Sequence, residues 1–219
     1  MKQLFFGLST LLLTISVAAQ ENPWKVRFRF THIAPNESST TLLDTVSYVD
    51  LTEQTVPELD ITYMLNQRWG LELILATADH DLNLNFDNQQ DPELAPSMRG
   101  GTATLLPPTL TAQYFFDTSG DVQFYVGAGV NYTTFIDYSL SEEFAELGIA
   151  DLQFDDSIGL ALNAGFDGYV NDHWHFNLDM KYIDLGTDVD IELNDGSILD
   201  TLEVDINPFV FSFGLGYKF

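Results

Sequence analysis

The sequence predicts an all-β protein, an eight-stranded antiparallel transmembrane β-barrel with short periplasmic turns and long extracellular loops. Three observations carry that prediction. Apolar residues recur at every second position through eight segments, which is the period of a strand. The connections between those segments alternate between a few residues and long runs. The chain ends on an aromatic, Phe219, preceded at every second position by Tyr217, Leu215, Phe213 and Phe211.

The N-terminus reads as a leader. Met1-Lys2 gives a positive start, Leu4 to Val17 an apolar stretch, and Val17-Ala18-Ala19 small residues for cleavage. This pattern is that of a secretory signal peptide over residues 1–19, cut before Gln20, rather than a buried helix. Residues 20–219 then form one barrel domain. Beyond the leader no apolar run approaches the roughly 18 residues of a spanning helix. With 33 acidic residues against 8 basic and a formal charge of −25, the surface would repel nucleic acid phosphates. The absence of cysteine excludes disulfides, thiolate metal sites and cysteine catalysis.

The first strand alternates Trp24, Val26, Phe28 and Phe30 with Lys25, Arg27, Arg29 and Thr31. The second sets Leu59, Ile61, Tyr63 and Leu65 against Glu58, Asp60, Thr62 and Met64. The third sets Leu71, Leu73 and Leu75 against Glu72, Ile74 and Ala76. The fourth carries Leu110, Ala112, Tyr114 and Phe116 on its apolar face. The fifth sets Val126, Ala128, Val130 and Tyr132 against Tyr125, Gly127, Gly129, Asn131 and Thr133. The sixth sets Ile158, Leu160, Leu162, Ala164 and Phe166 against Gly159, Ala161, Asn163, Gly165 and Asp167. The seventh runs through Trp174, Phe176, Leu178, Met180 and Tyr182, and the eighth from Phe209 to Phe219. Short turns fall at 66–68, 117–120 and 171–173, and long segments at 36–55, 79–104, 137–156 and 184–205. An outer-membrane barrel has this asymmetry and an even strand count. Closure is compulsory, because an open sheet edge in lipid would strand backbone polar groups.

The apolar faces point outward. They carry Trp24, Tyr63, Tyr114, Tyr132, Trp174, Tyr182 and Tyr217 toward strand ends, as interfacial girdles do. The opposite faces hold too many charges for a dry soluble barrel. Of the basic residues, Lys25, Arg27, Arg29, Lys181 and Lys218 all fall on inward positions. Buried charges must pair, so an ion-pair network is expected in the lower barrel. It joins Arg27 or Arg29 to Asp60 or Glu72, with Asp179, Lys181 and Lys218 sharing the same interior. Met64 lines the apolar part of the lumen, and Ile74, Phe115, Phe135 and Val210 form an apolar vestibule above the charges. Pro57, Pro107, Pro108 and Pro208 lie at outer strand ends and cannot donate to the ladder, so the wall is expected to be interrupted there.

Several motifs resist a catalytic or metal reading. His80-Asp81 could form an acid/base pair, but no serine sits in a nucleophile elbow, and a solvated loop histidine is the plainer reading. Gly127-Ala128-Gly129 lacks the third glycine of a dinucleotide loop and lies in a strand, where the glycines let neighbouring inward side chains pass. Asp188 to Glu192 starts like a calcium loop, but Leu193 stands where glycine is required. The alternation there suggests the seventh strand continuing above the membrane to a hairpin turn at Asn194-Asp195-Gly196-Ser197. The long segments hold 24 of the 33 acids and a single arginine, Arg99. They read as a solvated surface rather than a site for divalent cations bridging to lipopolysaccharide.

The segments Leu106-Pro107-Pro108-Thr109-Leu110, Tyr125 to Phe135, Asp156-Ser157 with Gly159, Asn207-Pro208-Phe209-Val210-Phe211 and Gly216-Tyr217-Lys218-Phe219 resemble the OmpW family of outer-membrane proteins. Gly70-Leu71-Glu72-Leu73 fits the same family's third strand. The resemblance is collinear over the mature chain. It implies an outer-membrane barrel of a Gram-negative bacterium that passes small hydrophobic molecules without cofactor. The alternative is a structural or interaction barrel, such as a surface receptor or a stress-related envelope protein. Its partners would be outer-membrane lipid and lipopolysaccharide, a small hydrophobic ligand, and the barrel-assembly machinery reading Phe211, Phe213, Leu215, Tyr217 and Phe219. Two features depart from the family's apolar conduit: the inward His175, Asn177, Asp179 and Lys181, and the strongly acidic loops.

Overall fold

A computed structural model describes residues 23–40, 47–86 and 97–219; the expected leader lies outside the described residues. Fifteen strands and one short helix follow in order: β1 Trp24–Ala34, β2 Ser38–Ser39, β3 Ser47–Leu51, β4 Gln54–Met64, β5 Trp69–Leu75, β6 Ala78–Phe86, β7 Ser97–Leu106, β8 Thr109–Phe115, β9 Val122–Leu140, α1 Glu142–Glu146, β10 Ile149–Phe154, β11 Ser157–Tyr169, β12 Trp174–Ile183, β13 Gly186–Leu193, β14 Ile198–Asp205 and β15 Phe209–Lys218. Eight of these close a ring in the order β1, β4, β5, β8, β9, β11, β12, β15, every neighbour antiparallel. They are the eight segments expected from the alternation.

The ring turns its apolar residues outward. Phe28, Phe30, Leu73, Val130, Leu160, Leu162 and Phe213 are all exposed, with Leu160 at 64%. In water so continuous an apolar belt would drive association; the hydrocarbon of a bilayer covers it. Aromatic pairs edge the belt at the short-turn end, where Trp24 meets Tyr63 at 4.8 Å, Trp69 meets Tyr114 at 5.2 Å and Trp174 meets Tyr217 at 5.0 Å. At the other end Tyr182 meets Phe209 at 5.3 Å. Inside, glycines make room for large polar neighbours. A Cβ on Gly127 would stand 2.2 Å from Asn163 Oδ1, and one on Gly165 2.5 Å from the Tyr125 hydroxyl.

The long connections differ from expectation. Most of their described residues are strand rather than loop. β3, β6, β7 and the upper part of β9 make one wall above the ring, and β2, β10, β13 and β14 make a second. Val189, Ile191, Leu202 and Val204 bury their side chains between these walls, with Leu84, Leu152 and Ile183. Burial of that face gives the extension a core, which an acidic loop would lack. Ser141 caps α1 by accepting from Phe144 N at 3.1 Å, and Phe144 closes the same core. The expected hairpin turn at 194–197 is present, with Gly196 at φ +81° and Ser197 N donating to Asp195 Oδ1. The seventh strand does not run straight into it. It ends at Ile183, and β13 belongs to the other sheet.

The prolines interrupt the wall less than expected. Pro108 O accepts from Tyr132 N, and Pro208 O from Ile183 N, so the ladder continues across both. Pro57 remains paired opposite Phe30. Pairing fails on one side only: the β4–β5 ladder stops at Leu59–Leu75 and the β5–β8 ladder at Ile74–Thr109. Above those pairs, among the described residues, β4 is paired in a ladder with β1 alone, which leaves a notch in the ladder beside Ala76 and Pro107.

Candidate functional site in the barrel lumen

The inward face of β1 sets the character of the lumen. From the short-turn end it presents Lys25, Arg27, Arg29, Thr31 and Ile33, a passage from charged to apolar within one strand. Antiparallel register places Asp60 opposite Arg27 and Glu58 opposite Arg29 on β4. Arg27 Nη1 donates to Asp60 Oδ1 and Oδ2 at 3.1 and 3.0 Å, to Thr62 Oγ1 at 2.9 Å and to Glu72 Oε1 at 3.3 Å. Its Nη2 crosses the lumen to Asp167 Oδ2 at 3.1 Å. Arg29 Nε donates to Glu58 Oε1 at 2.6 Å and Nη1 to Asn177 Oδ1 at 3.1 Å, while Nη2 lies 3.0 Å from Asp60 Oδ2. Lys25 Nζ donates to Asp167 Oδ2 at 3.0 Å and to Gln123 Oε1 at 3.3 Å. Asp179 Oδ2 accepts from the Tyr125 hydroxyl at 2.8 Å and from Asn163 Nδ2 at 2.9 Å. All of these side chains but Gln123 are buried, and together they span the ring from wall to wall.

The residues singled out from sequence divide three ways. Arg27, Arg29, Asp60 and Glu72 meet in one layer, and Asp179 and Lys181 adjoin it, with Lys181 Nζ 3.6 Å from Asp179 Oδ1. Lys218 does not join. It sits at the rim of the short-turn end, where solvent reaches it, and pairs with no acid among the described residues; its carbonyl accepts from His173 Nδ1 at 2.9 Å. Three further side chains complete the network: Lys25, Glu58 and Asp167. Their inward placement was legible in the alternation. What adjacency of strands could not show is the reach from β1 to β11 across a lumen narrow enough for side chains to fill.

Phe115 corrects the expected vestibule. It packs with Met64 and Tyr125 near the short turns, on the other side of the ion pairs, because β8 runs downward from Thr109 and reaches position 115 at its lower end. Lys25 Nζ lies 4.2 Å from its ring centroid. Ile74, Phe135 and Val210 do line the vestibule, with Ile33, Leu105 and Ile183 among others. It encloses about 120 Å³, of the order at which an apolar cavity takes a benzene-sized guest in preference to water. Phe135 stacks on Phe154 at 4.7 Å along its wall. Glu58 and Lys181 stand at its floor. A separate polar basin opens at the short-turn end around Lys25, Gln123 and Tyr169.

His80 is not the solvated loop residue expected. It is buried in the vestibule wall and its Nδ1 donates to Thr52 O at 2.7 Å. Burial holds its imidazole below the ordinary histidine range. Asp81 faces the other way, where hydrogen bonds from Arg99 and Thr102 hold its carboxyl below the usual range. Among the described residues the two side chains therefore share no hydrogen-bond partner, as acid/base work would require. Asp190 and Glu192, from the segment resembling a calcium loop, accept from Thr201 Oγ1 and Gln153 Nε2 within the extension. Among the described residues no three candidate ligands converge on one point.

Sequence and structure comparisons place this lumen in a family. The sequence model of the OmpW family matches residues 20–219. The chain is 35% identical over 224 residues to Outer membrane protein W of Vibrio cholerae, covering 100% of each. It is 25% identical to PahQ of Pseudomonas aeruginosa, a protein named for a dibenzothiophene metabolism operon, over 92% of this chain and 90% of that one. The crystal structure of the outer membrane protein OprG from Pseudomonas aeruginosa superposes with a TM-score of 0.79 at 30% identity, over 90% of this chain and 96% of that one.

Proposed function

The chain belongs to the OmpW family of outer-membrane β-barrel proteins, and from that premise we propose that it admits small apolar molecules passively and releases them sideways into the membrane. The observation that carries this is the division of the lumen. An apolar vestibule opens on the extracellular side, and immediately beneath it buried ion pairs fill the barrel from β1 to β11. A greasy molecule that enters gains by leaving water but cannot continue downward without displacing paired charges, each worth several kcal/mol to leave unpaired. The notch between the upper part of β4 and the end of β5, beside Ala76 and Pro107 in the vestibule wall, offers the exit. A relative named for an operon that handles an apolar aromatic fits the same class of cargo.

The test combines two measurements on protein reconstituted in vesicles. Uptake of naphthalene into the vesicle membrane should be accelerated over protein-free vesicles, and Ala76→Trp, which narrows the notch, should slow it. Ion conductance should stay small in both, and Arg29→Ala with Glu72→Ala should raise it without improving uptake. A large open conductance in the unmodified protein would refute the plug. Uptake no faster than in protein-free vesicles would favour the other reading, a barrel whose acidic extracellular face serves a partner.

A further inference from the structure

Four buried cations and five buried carboxylates make up the plug: Lys25, Arg27, Arg29 and Lys181 against Glu58, Asp60, Glu72, Asp167 and Asp179. They are not equally served. Arg27, Arg29 and Lys25 each donate hydrogen bonds to carboxylates at between 2.6 and 3.3 Å. Lys181 has a side chain only 2% exposed, and its nearest carboxylate oxygen is Asp179 Oδ1 at 3.6 Å, beyond hydrogen-bond distance. An ammonium carries three donors, and none of those on Lys181 reaches a carboxylate at hydrogen-bond distance, which leaves them for an acceptor in the vestibule. Lys181 is also the plug cation that lines the vestibule.

The charge around it limits what could use those donors. A carboxylate arriving there would join a layer that already has one acid in excess, after passing an extracellular rim rich in acids. An ammonium would be set against Lys181 itself, and the one carboxylate beside it at the floor, Glu58, is already taken by Arg29 Nε at 2.6 Å. A neutral oxygen acceptor meets neither penalty. Pockets of this kind commonly hold an apolar body by burial and orient it by one placed polar group.

We infer that the vestibule is a binding site for neutral apolar molecules bearing one oxygen acceptor, a ketone or an alcohol, with Lys181 as the residue that selects them over the bare hydrocarbon. The inference rests on the channel reading above and specifies its cargo.

Four probes of similar size separate the possibilities: acetophenone, ethylbenzene, benzoate and benzylamine, titrated into the mature protein in lipid nanodiscs with isotope-labelled lysine. Acetophenone should bind about 10-fold tighter than ethylbenzene, as expected for one hydrogen bond to a charged donor. It should move the Lys181 resonance and leave those of Lys25 and Lys218 in place, and benzoate and benzylamine should bind more weakly than acetophenone. Lys181→Met, or Lys181→Met with Asp179→Asn to keep the charge count, should bring the two neutral probes to equal affinity. If neither variant folds, the spectra of the unmodified protein decide alone. Equal binding of ethylbenzene and acetophenone with Lys181 unmoved overturns this inference while the channel reading stands. Tighter binding of benzoate or benzylamine overturns it too. If neither neutral probe binds, the channel reading fails and takes the inference with it.

Discussion

Replacing Arg27 by methionine is the sharpest test of how the lumen is held. Arg27 lies 3.0 Å from Asp60, 3.3 Å from Glu72 and 3.1 Å from Asp167. At an effective dielectric of about 20, one contact at 3.0 Å has a gross attraction of about 5 kcal/mol, most of which desolvation offsets. Removing the cation leaves the desolvation without the attraction. Arg29 still reaches Asp60 and Glu72, and Lys25 still reaches Asp167, so no carboxylate is left bare, but the excess of acids grows from one to two. The expected loss is about 3–5 kcal/mol, as for other broken buried pairs. Adding Glu72→Gln returns the excess to one and should recover at least ~1 kcal/mol as a coupling between neighbouring sites. Urea unfolding in vesicles, followed by tryptophan fluorescence, measures both. A loss below about 0.5 kcal/mol, or a double variant no more stable than Arg27→Met, would refute a network of mutually dependent buried charges.

Leu178→Arg should cost about 2–4 kcal/mol in the same assay, since this outward side chain lies midway along β12 between Trp174 and Tyr182, at the two aromatic edges of the belt; a neutral result would mean that the belt does not face lipid. Deleting Phe219 should abolish assembly in the outer membrane, and normal heat-modifiable gel mobility of the truncated chain would count against the terminal alternation as an assembly signal. For His80, burial lowers the folded pKa below the unfolded value, so the opened extension binds the proton more tightly. Stability of β6 is therefore full above the unfolded pKa of about 6.5 and falls as pH drops through it toward the folded value. The slope is at most about 1.4 kcal/mol per pH unit. Hydrogen exchange in β6 should quicken on acidification in the native chain and much less in His80→Gln; identical profiles would remove His80 from that role.

The sequence by itself determined the ring. A period of two is a property of one strand at a time, and with Leu162 apolar beside Asn163 and Arg27 charged beside Phe28, each strand declares which face meets lipid. Short turns and the compulsory closure of a sheet in hydrocarbon then leave an eight-stranded barrel. The pairing of Arg27 with Asp60 was within reach for the same reason, because antiparallel neighbours oppose one another residue by residue. Only the tertiary structure decided that Asp167 on β11 would meet Lys25 and Arg27 on β1, that Phe115 would lie below the charges, and that His80 would be buried. It also decided that the acidic connections would fold into two walls over the vestibule. Each of these depends on distances across a closed space rather than along a chain, and alternation carries no information about what lies opposite through the lumen.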